Sequence, residues 1–273
     1  MSYKMIVLDL DDTLLRDDHS ISARTKQSLM EAQEMGVKVV LASGRPTFGM
    51  KHIAEELSLA EYGSYILSFN GGKIINCRTL EEVFSSTLTP EAVCDLYHIS
   101  RREDVFIHTY VGDEIVTETE NPYTTIESDL TGLPIRVVDS FTKAVTEPVV
   151  KVLMVEAPEK LKDLESKLQA ELESEFSVMR SKPYFLEFTE KGVTKGTSLN
   201  QLIQLLGIKR EEVIAIGDSY NDLAMIEFAG LGVAMGNAPE EIKEIANFVT
   251  DTNMNDGVAK VVDEFVLNKP ALV

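Results

Sequence analysis

The chain has 273 residues, 44% hydrophobic and 26% charged, a balance typical of an enzyme that buries a sizeable core. This length suits one large domain or two ordinary ones, at about 100–200 residues each. The net charge of −19 argues against a nucleic acid or an anionic membrane as partner, because both need clustered Lys and Arg.

No apolar run approaches the roughly 18 residues that a membrane-spanning helix needs. The first residues read as a strand, with no basic segment leading into a long apolar stretch, so we expect no secretory signal and a cytoplasmic location. The two cysteines, Cys77 and Cys94, fit no metal, redox or disulfide spacing. We expect both to be packed or partly exposed thiols.

The first 75 residues alternate between strand-like and helix-like segments. Ser22 is a good N-cap for the first helix, and Gly36 is a typical stop. This alternation indicates a parallel sheet covered by helices. Strands are predicted at residues 5–8, 37–42 and 65–69, and helices at 23–35 and 46–58.

The C-terminal part repeats the same alternation, and Pro239 stands at the start of one of its helices. Strands are predicted at residues 212–216, 231–235 and 248–250, and helices at 195–206, 220–229, 239–246 and 256–267.

The middle of the chain has a different pattern, with shorter and often alternating strands and only two predicted helices. It indicates an α+β unit with a mainly antiparallel sheet. We therefore predict a Rossmann-like α/β core formed by residues 1–82 and 191–273, interrupted by an inserted domain at 83–190. Its strands are predicted at residues 105–109, 114–118, 135–138, 150–155, 176–180 and 185–188, and its helices at 90–102 and 158–174.

Three carboxylates follow the first strand directly: Asp9, Asp11 and Asp12. In an open α/β sheet, ligands bind at the carboxyl ends of the strands, so these side chains fall where chemistry is expected. Carboxylates this close repel one another unless a cation or a proton compensates them. By itself, such a run is more often an acidic turn or a helix cap than a site.

The second strand ends in Ser43, Gly44 and Arg45, a hydroxyl, a flexible glycine and a cation. The Ser43 hydroxyl and the following amides are suited to phosphate oxygens at a helix N-terminus. Taken alone, Ser-Gly after a strand is usually a simple turn.

Two further clusters occur in the C-terminal part. Lys195 stands in the first turn of a helix, where it opposes the helix dipole, although a solvated surface lysine is an equal alternative. Asp218 and Asp222 follow the buried strand at 212–216. Together the clusters predict an acidic centre for Mg²⁺, a cation that prefers oxygen ligands. The scattered histidines and cysteines do not suit zinc.

These clusters resemble, in order, the four motifs of the haloacid-dehalogenase-like (HAD) phosphatase superfamily, specifically its Cof-type sugar-phosphatase branch. The inserted domain resembles the cap domain of that branch, so the resemblance spans almost the whole chain. The motifs are Asp9-Leu10-Asp11-Asp12-Thr13, Ser43-Gly44-Arg45, Lys195-Gly196 and Gly217-Asp218-Ser219-Tyr220-Asn221-Asp222.

The resemblance implies a role for each motif residue. Asp9 would attack phosphorus and form an aspartyl-phosphate, and Asp11 would act as general acid and then base. Mg²⁺ would be held by Asp9, the backbone carbonyl of Asp11, and Asp218. Asp222 and Arg45 would support the site. The implied phosphate-binding residues are Leu10, Ser43, Gly44, Lys195 and Asn221.

One position departs from the motif, since Asp12 stands where the family often has glycine. We expect its side chain to face away from the site or to cap the next turn. The polar loop at residues 253–257 is expected to lie along the same sheet edge, or simply to form a turn and an N-cap for the last helix.

The resemblance implies hydrolysis of a small phosphorylated metabolite, with sugar phosphates as the family-level expectation. Residues 184–187 and Arg45 are predicted to face the leaving group. Two alternatives remain open at this point: a phosphotransferase or phosphomutase of the same fold, and a non-catalytic sensor that binds a phosphorylated metabolite. We expect a monomer or a weak homodimer.

Overall fold

The computed structural model describes residues 3–268 and divides the chain into two compact units. The first unit runs to Phe84 and resumes at Thr194, and the second comprises Ser85–Val193. The predicted boundaries lie two and three residues away (82 against 84, and 190 against 193). No helix within residues 3–268 has both the length and the apolar character that crossing a bilayer requires.

Fourteen strands and ten α-helices, numbered in chain order, occur within residues 3–268. The strands are β1 Met5–Leu8, β2 Lys38–Ala42, β3 Tyr65–Ser68, β4 Lys73–Asn76, β5 Glu82–Ser85, β6 Phe106–Val111, β7 Glu114–Thr117, β8 Ile135–Val137, β9 Val152–Val155, β10 Phe176–Lys182, β11 Phe185–Glu190, β12 Val213–Gly217, β13 Leu231–Ala234 and β14 Phe248–Val249. The helices are α1 Ala23–Glu34, α2 Lys51–Glu56, α3 Pro90–Arg102, α4 Pro122–Thr131, α5 Phe141–Ala144, α6 Pro158–Leu172, α7 Lys195–Leu206, α8 Leu223–Phe228, α9 Glu240–Ile245 and α10 Gly257–Phe265.

The sheet of the first unit has the strand order β14-β13-β12-β1-β2-β3-β4-β5 within the described residues. Neighbours from β14 to β3 are parallel, whereas β4 is antiparallel to β3. Strand β1 is central and buried on both faces: Ile6 and Leu8 pack in one hydrophobic cluster, and Met5 and Val7 in another. Burial on both sides explains why its sequence is continuously apolar rather than alternating.

Three predictions for this unit need correction. The predicted helix at 46–58 starts as a 3₁₀ turn, Thr47–Met50, before α2, because Pro46 is extended and Gly49 lowers the α-helical propensity of this stretch. The predicted helix at 220–229 likewise starts as a 3₁₀ turn, Tyr220–Asp222. Strands β4 and β5 lie outside the predicted strands, because they form by pairing in the sheet rather than by a clear local pattern.

The sheet of the second unit has the order β10-β11-β9-β6-β7-β8 in the described part of the chain. Its pairs are antiparallel, as predicted, except for the parallel pair β7 and β8. The prediction of two helices was wrong, because α4 and α5 also occur. Helix α4 has good local end signals, an Asn121 N-cap and a left-handed Gly132, but its threonines are weak helix formers.

A buried polar cluster lies within this second unit. The Tyr110 hydroxyl donates a hydrogen bond to Glu127. Lys151 forms an ion pair with Glu187 at 2.8 Å, and their side chains are only 3% and 4% exposed. His108 is fully buried, and its Nδ1 lies 3.1 Å from the Thr124 hydroxyl. Its Nε2 has no hydrogen-bond partner among the described residues. This arrangement holds the imidazole in its neutral form.

Lowering the pH from 7 to 5 is expected to reduce the free energy of unfolding by about 2 kcal/mol through His108. Burial, and then the nearby Lys151 ammonium, lower the pKa of His108 from 6.5 to about 3. Between these two values the unfolded chain takes up a proton on this ring and the folded chain does not. The contribution of neutral His108 to the free energy of unfolding is therefore complete at pH 7, and it decreases as the pH falls from 6.5 towards about 3.

Urea unfolding at pH 7 and pH 5 tests this expectation, with His108→Gln as the matched variant. Glutamine can still bond to Thr124 but does not titrate. The pH difference should be about 2 kcal/mol smaller in the variant than in the wild type. Equal pH differences in the two proteins would contradict the assignment. Burial raises the pKa of Glu127, which acts in the opposite direction but equally in both proteins.

Candidate active site

Four neighbouring parallel strands end at the same edge of the first sheet: β12, β1, β2 and β3. Asp218 follows β12, Asp9 follows β1, Ser43 follows β2, and Asn70 lies two residues beyond β3. Each strand therefore delivers a polar side chain to the edge where open α/β sheets bind ligands. The parallel sheet, and not proximity in sequence, brings these residues together.

The chain after β1 makes one wide turn, Leu10–Leu14, that contains residues with non-helical backbone angles. Asp12 has φ of 61°, and the Leu15 amide closes the turn on the carbonyl of fully buried Leu10 at 2.8 Å. The Thr13 hydroxyl donates to Asp218 at 2.7 Å, joining this turn to the loop after β12. Asp9 is extended, buried and 6% exposed.

Asp9, Asp218 and Asp222 form a carboxylate cluster, in which one oxygen from each lies within 4.8 Å of the others. Asp222 is fully buried and already engaged, because its Oδ2 accepts from the amides of Asp218 and Ser219 at 3.0 Å each. Gly217 allows this approach, since a Cβ there would lie 2.5 Å from the Asp222 side chain. Asp9 and Asp218 are thus the two members better placed to bind a cation.

Lys195 is fully buried at the first position of α7, which excludes the surface alternative. Its Nζ donates to Asp9 Oδ1 at 2.5 Å and to Asp222 Oδ1 at 2.6 Å. The following Gly196 permits this placement, because a Cβ there would lie 2.3 Å from the Ala224 carbonyl in α8. Close packing of α7 on α8 thus fixes the ammonium between two carboxylates.

Burial sets the electrostatics of the cluster. Desolvation raises the pKa of Asp9 well above its usual value, and the Asp222 charge adds to this, while Lys195 opposes it. Desolvation alone would lower the pKa of Lys195, but Asp222 and Asp9 outweigh it and raise that pKa. Desolvation raises the pKa of Asp218 to about 7, with the Thr13 hydroxyl opposing it. Asp9 and Asp218 therefore lie where a bound divalent cation would stabilise their charged forms.

This donor set fits Mg²⁺. Its members are hard carboxylate oxygens, no thiolate or imidazole belongs to the cluster, and its one ammonium balances only part of the charge. Asp9 and Asp222 are buried and Asp218 is half-buried, and within the described residues Lys195 is the one cation paired with them. A bound divalent ion would balance the remaining charge.

The loop after β2 provides donors suited to an anion. Ser43 is 2% exposed, and its own amide is used by the Leu67 carbonyl at 2.9 Å. No acceptor within residues 3–268 takes the Gly44 amide proton. Arg45 instead reaches Asp11, with Nε 2.9 Å from Oδ2 and Nη2 2.5 Å from Oδ1. This two-bond pair occupies both carboxylate oxygens of Asp11.

Sequence reasoning gave no role to three residues at this edge: Thr13, which it named only as the last residue of the first motif, Asn70 and Asn237. Asn237 donates to the Asp12 carbonyl at 2.8 Å, while the Asp12 side chain is exposed. Only Asn70 had a usable signal, an Asn-Gly pair directly after a strand. The other two contacts join positions more than 200 residues apart (205 and 225), so no local pattern could have indicated them.

The loop at residues 253–257 also contacts the wide turn after β1 and its two flanking residues, here called the aspartate turn (residues 9–15). The Asn253 amide donates to Asn237 Oδ1 at 3.1 Å, and the Asn253 side chain donates to the Leu15 carbonyl at 3.1 Å. Asp256 precedes α10, but its side chain accepts no capping hydrogen bond. The loop is therefore more than a helix cap, since it supports the turn that carries Asp9 and Asp11.

Residues 184–187 lie in the second unit. Phe185 and Leu186 are buried, and Glu187 forms the ion pair with Lys151. Tyr184 is half-buried and stacks on Tyr123 with ring centroids 5.9 Å apart. Their predicted contact with the leaving group stays a prediction.

A family model described as haloacid dehalogenase-like hydrolase matches residues 6–262. YxeH of Bacillus subtilis is 37% identical over 98% of this chain and 100% of its own. The 5-amino-6-(5-phospho-D-ribitylamino)uracil phosphatase YcsE of the same organism is 33% identical over 97% of this chain and 96% of its own.

Solved structures give the same result. A haloacid dehalogenase-like hydrolase from Bacteroides thetaiotaomicron is similar with a TM-score of 0.90 at 47% identity, covering 96% of this chain and 99% of that one. The subclass IIB sugar phosphatase BT4131 is similar with a TM-score of 0.81 at 27% identity, covering 96% and 98%.

Proposed function

This chain belongs to the haloacid dehalogenase-like hydrolase family, and we propose that it is a Mg²⁺-dependent phosphatase acting on a small phosphorylated metabolite. The observation that carries the proposal is the buried triad in which Lys195 bridges Asp9 and Asp222, beside Asp218 and the unused Gly44 amide. A buried nucleophile candidate, a fixed cation and free anion donors are what phosphoryl transfer requires.

Asp9 is the proposed nucleophile. The Lys195 ammonium at 2.5 Å favours its ionised form and leaves one carboxylate oxygen for attack on phosphorus. Attack would form an aspartyl-phosphate, which water then hydrolyses, dividing one displacement into two easier steps. Asp9, Asp218 and the Asp11 carbonyl would hold Mg²⁺, which when bound neutralises charge on the phosphoryl group.

Asp11 is the proposed acid and base. It would protonate the leaving oxygen in the first step and deprotonate the attacking water in the second. Its carboxylate is exposed and paired with Arg45, so it must release that contact when it engages the substrate. Arg45 would then be free to hold an anionic or hydroxyl-rich leaving group.

The remaining donors would hold the transferred phosphoryl group. The Ser43 hydroxyl and the Gly44 amide from the loop after β2, Lys195 from the start of α7 and Asn221 from the segment after β12 would supply these donors, with Leu10 contributing from the aspartate turn. Charge that develops on the phosphoryl oxygens is stabilised best by donors fixed in advance, and the buried ion pairs fix Lys195.

A sugar phosphate is the proposed substrate class, supported by the similarity to the sugar phosphatase BT4131 and to a phosphatase of a ribityl phosphate. The net charge of −19 favours a small metabolite over a nucleic acid or a membrane surface. A panel of some tens of phosphorylated metabolites, ranked by kcat/KM, would identify the substrate class.

Removing divalent metal is expected to lower the rate of para-nitrophenyl phosphate hydrolysis by at least about 10²-fold, because buried Asp9 and half-buried Asp218 lose their counter-ion. EDTA treatment followed by added Mg²⁺ should restore the rate. Mg²⁺ should also raise the Tm of the wild type, an effect that needs no turnover. A rate that is insensitive to EDTA, with no Mg²⁺ effect on Tm, would refute the metal assignment.

A further inference from the structure

The chain reverses direction after β3 through three successive residues with positive φ: Phe69 at 54°, Asn70 at 57° and Gly71 at 96°. Glycine adopts this region freely, but a bulky side chain there costs about 1–2 kcal/mol, so Phe69 is held in an unfavourable conformation. Such a conformation persists only where surrounding contacts fix it, and it concentrates at functional sites. The turn therefore needs an explanation beyond chain reversal.

The backbone of this turn is hydrogen-bonded to the loop after β2, which contains Ser43 and Gly44. The Phe69 amide donates to the Arg45 carbonyl at 3.0 Å, and the Asn70 amide donates to the Ser43 carbonyl at 2.9 Å. On the other side, the Ser198 hydroxyl of α7 donates to the Gly71 carbonyl at 2.6 Å. The strained turn is thus attached to the segment that offers Ser43 and Gly44 and to the helix that starts with Lys195.

The Asn70 side chain connects two of the proposed phosphate ligands. Its Oδ1 accepts a hydrogen bond from Asn221 Nδ2 at 2.9 Å. Its amide also lies against Gly44, where an added Cβ would be 3.3 Å from both Asn70 Nδ2 and Oδ1. Asn70 is buried, at 7% exposed, so this side chain has a fixed place between Gly44 and Asn221.

We propose that Asn70 is a positioning residue for the phosphoryl group, acting through Asn221 and the Gly44 amide. This inference rests on the proposed phosphatase function. Asn70 orients the Asn221 side chain with one hydrogen bond and limits the movement of the Gly44 loop by direct contact. Its left-handed backbone is consistent with the residue type, since asparagine, like aspartate, tolerates positive φ better than most residues do.

Replacing Asn70 by glycine isolates the side chain, because glycine adopts a φ near 57° readily and the turn is retained. We expect kcat/KM for para-nitrophenyl phosphate to fall by about tenfold or more, with a similar rise in the inhibition constant of inorganic phosphate. Urea unfolding checks that the variant folds. Ser58→Gly is the matched control, a positive-φ position at 51° in the same unit, and should leave both constants unchanged.

A double-mutant cycle with Asn221→Ala separates positioning from a general structural effect. If Asn70 acts through Asn221, the combined variant should be little worse than the more damaging single variant. Losses that multiply, or an Asn70→Gly enzyme within twofold of the wild type in both constants, would overturn the proposal. If the wild type hydrolysed no phosphate ester, the proposed function would fail, and calorimetric binding of inorganic phosphate to the same variants would then decide the role of Asn70.

Discussion

Asp9→Asn is expected to lower kcat by at least about 10⁴-fold, the scale seen when a covalent nucleophile is removed. The amide oxygen carries no charge and cannot form the phosphoryl–enzyme bond that the first step requires. The substitution should not lower stability. Burial and the Asp222 charge both disfavour the ionised Asp9, so a neutral amide relieves repulsion while Lys195 keeps its contact with Asp222.

Steady-state kinetics and urea unfolding on the same variant measure these two effects. Asp12→Asn is the matched control, because Asp12 lies in the same turn with an exposed side chain and should keep kcat within about twofold. An Asp9→Asn enzyme that retained a tenth of the wild-type kcat would exclude the aspartyl-phosphate route. A large loss in both variants would instead indicate a distorted turn.

Lys195→Met is expected to lower the free energy of unfolding by about 3–5 kcal/mol, as when one partner of a buried ion pair is removed. Methionine is close in volume but leaves Asp9 and Asp222 buried without the cation that bridges them at 2.5 Å and 2.6 Å. Activity should fall by about 10³-fold, because a fixed charge on the phosphoryl group is lost as well.

Urea unfolding without added metal measures the change in the free energy of unfolding, and kcat at saturating Mg²⁺ measures the loss of activity. Lys191→Met is the matched control, at an exposed position shortly before α7. It should change the free energy of unfolding by less than about 0.5 kcal/mol and kcat by less than about twofold. If Lys195→Met unfolded within 1 kcal/mol of the wild type, the bridging ion pair would not be a main support of this edge.

Much of the fold could be read from local sequence. The apolar run at 5–8 is β1, Ser22 caps α1 through the Thr25 amide, and Gly207 ends α7 in the left-handed conformation. These features depend on neighbouring residues, on periodicity and on the special backbone range of glycine, so a single sequence contains them. The polar clusters at the strand ends were identified in the same way, from residue type and spacing, and the resemblance to a known phosphatase family joined them into four motifs.

The tertiary structure decided how those residues act on one another. From the sequence alone, Lys195 could equally be a surface lysine. In the structure, the packing of α7 on α8 buries it between Asp9 and Asp222. The Arg45–Asp11 pair and the Asn70 contact with Asn221 likewise arise because neighbouring parallel strands end at one edge. Sequence therefore determined the residue types and local elements, whereas the sheet order determined the partners, since burial and charge pairing depend on chain segments that are distant in sequence.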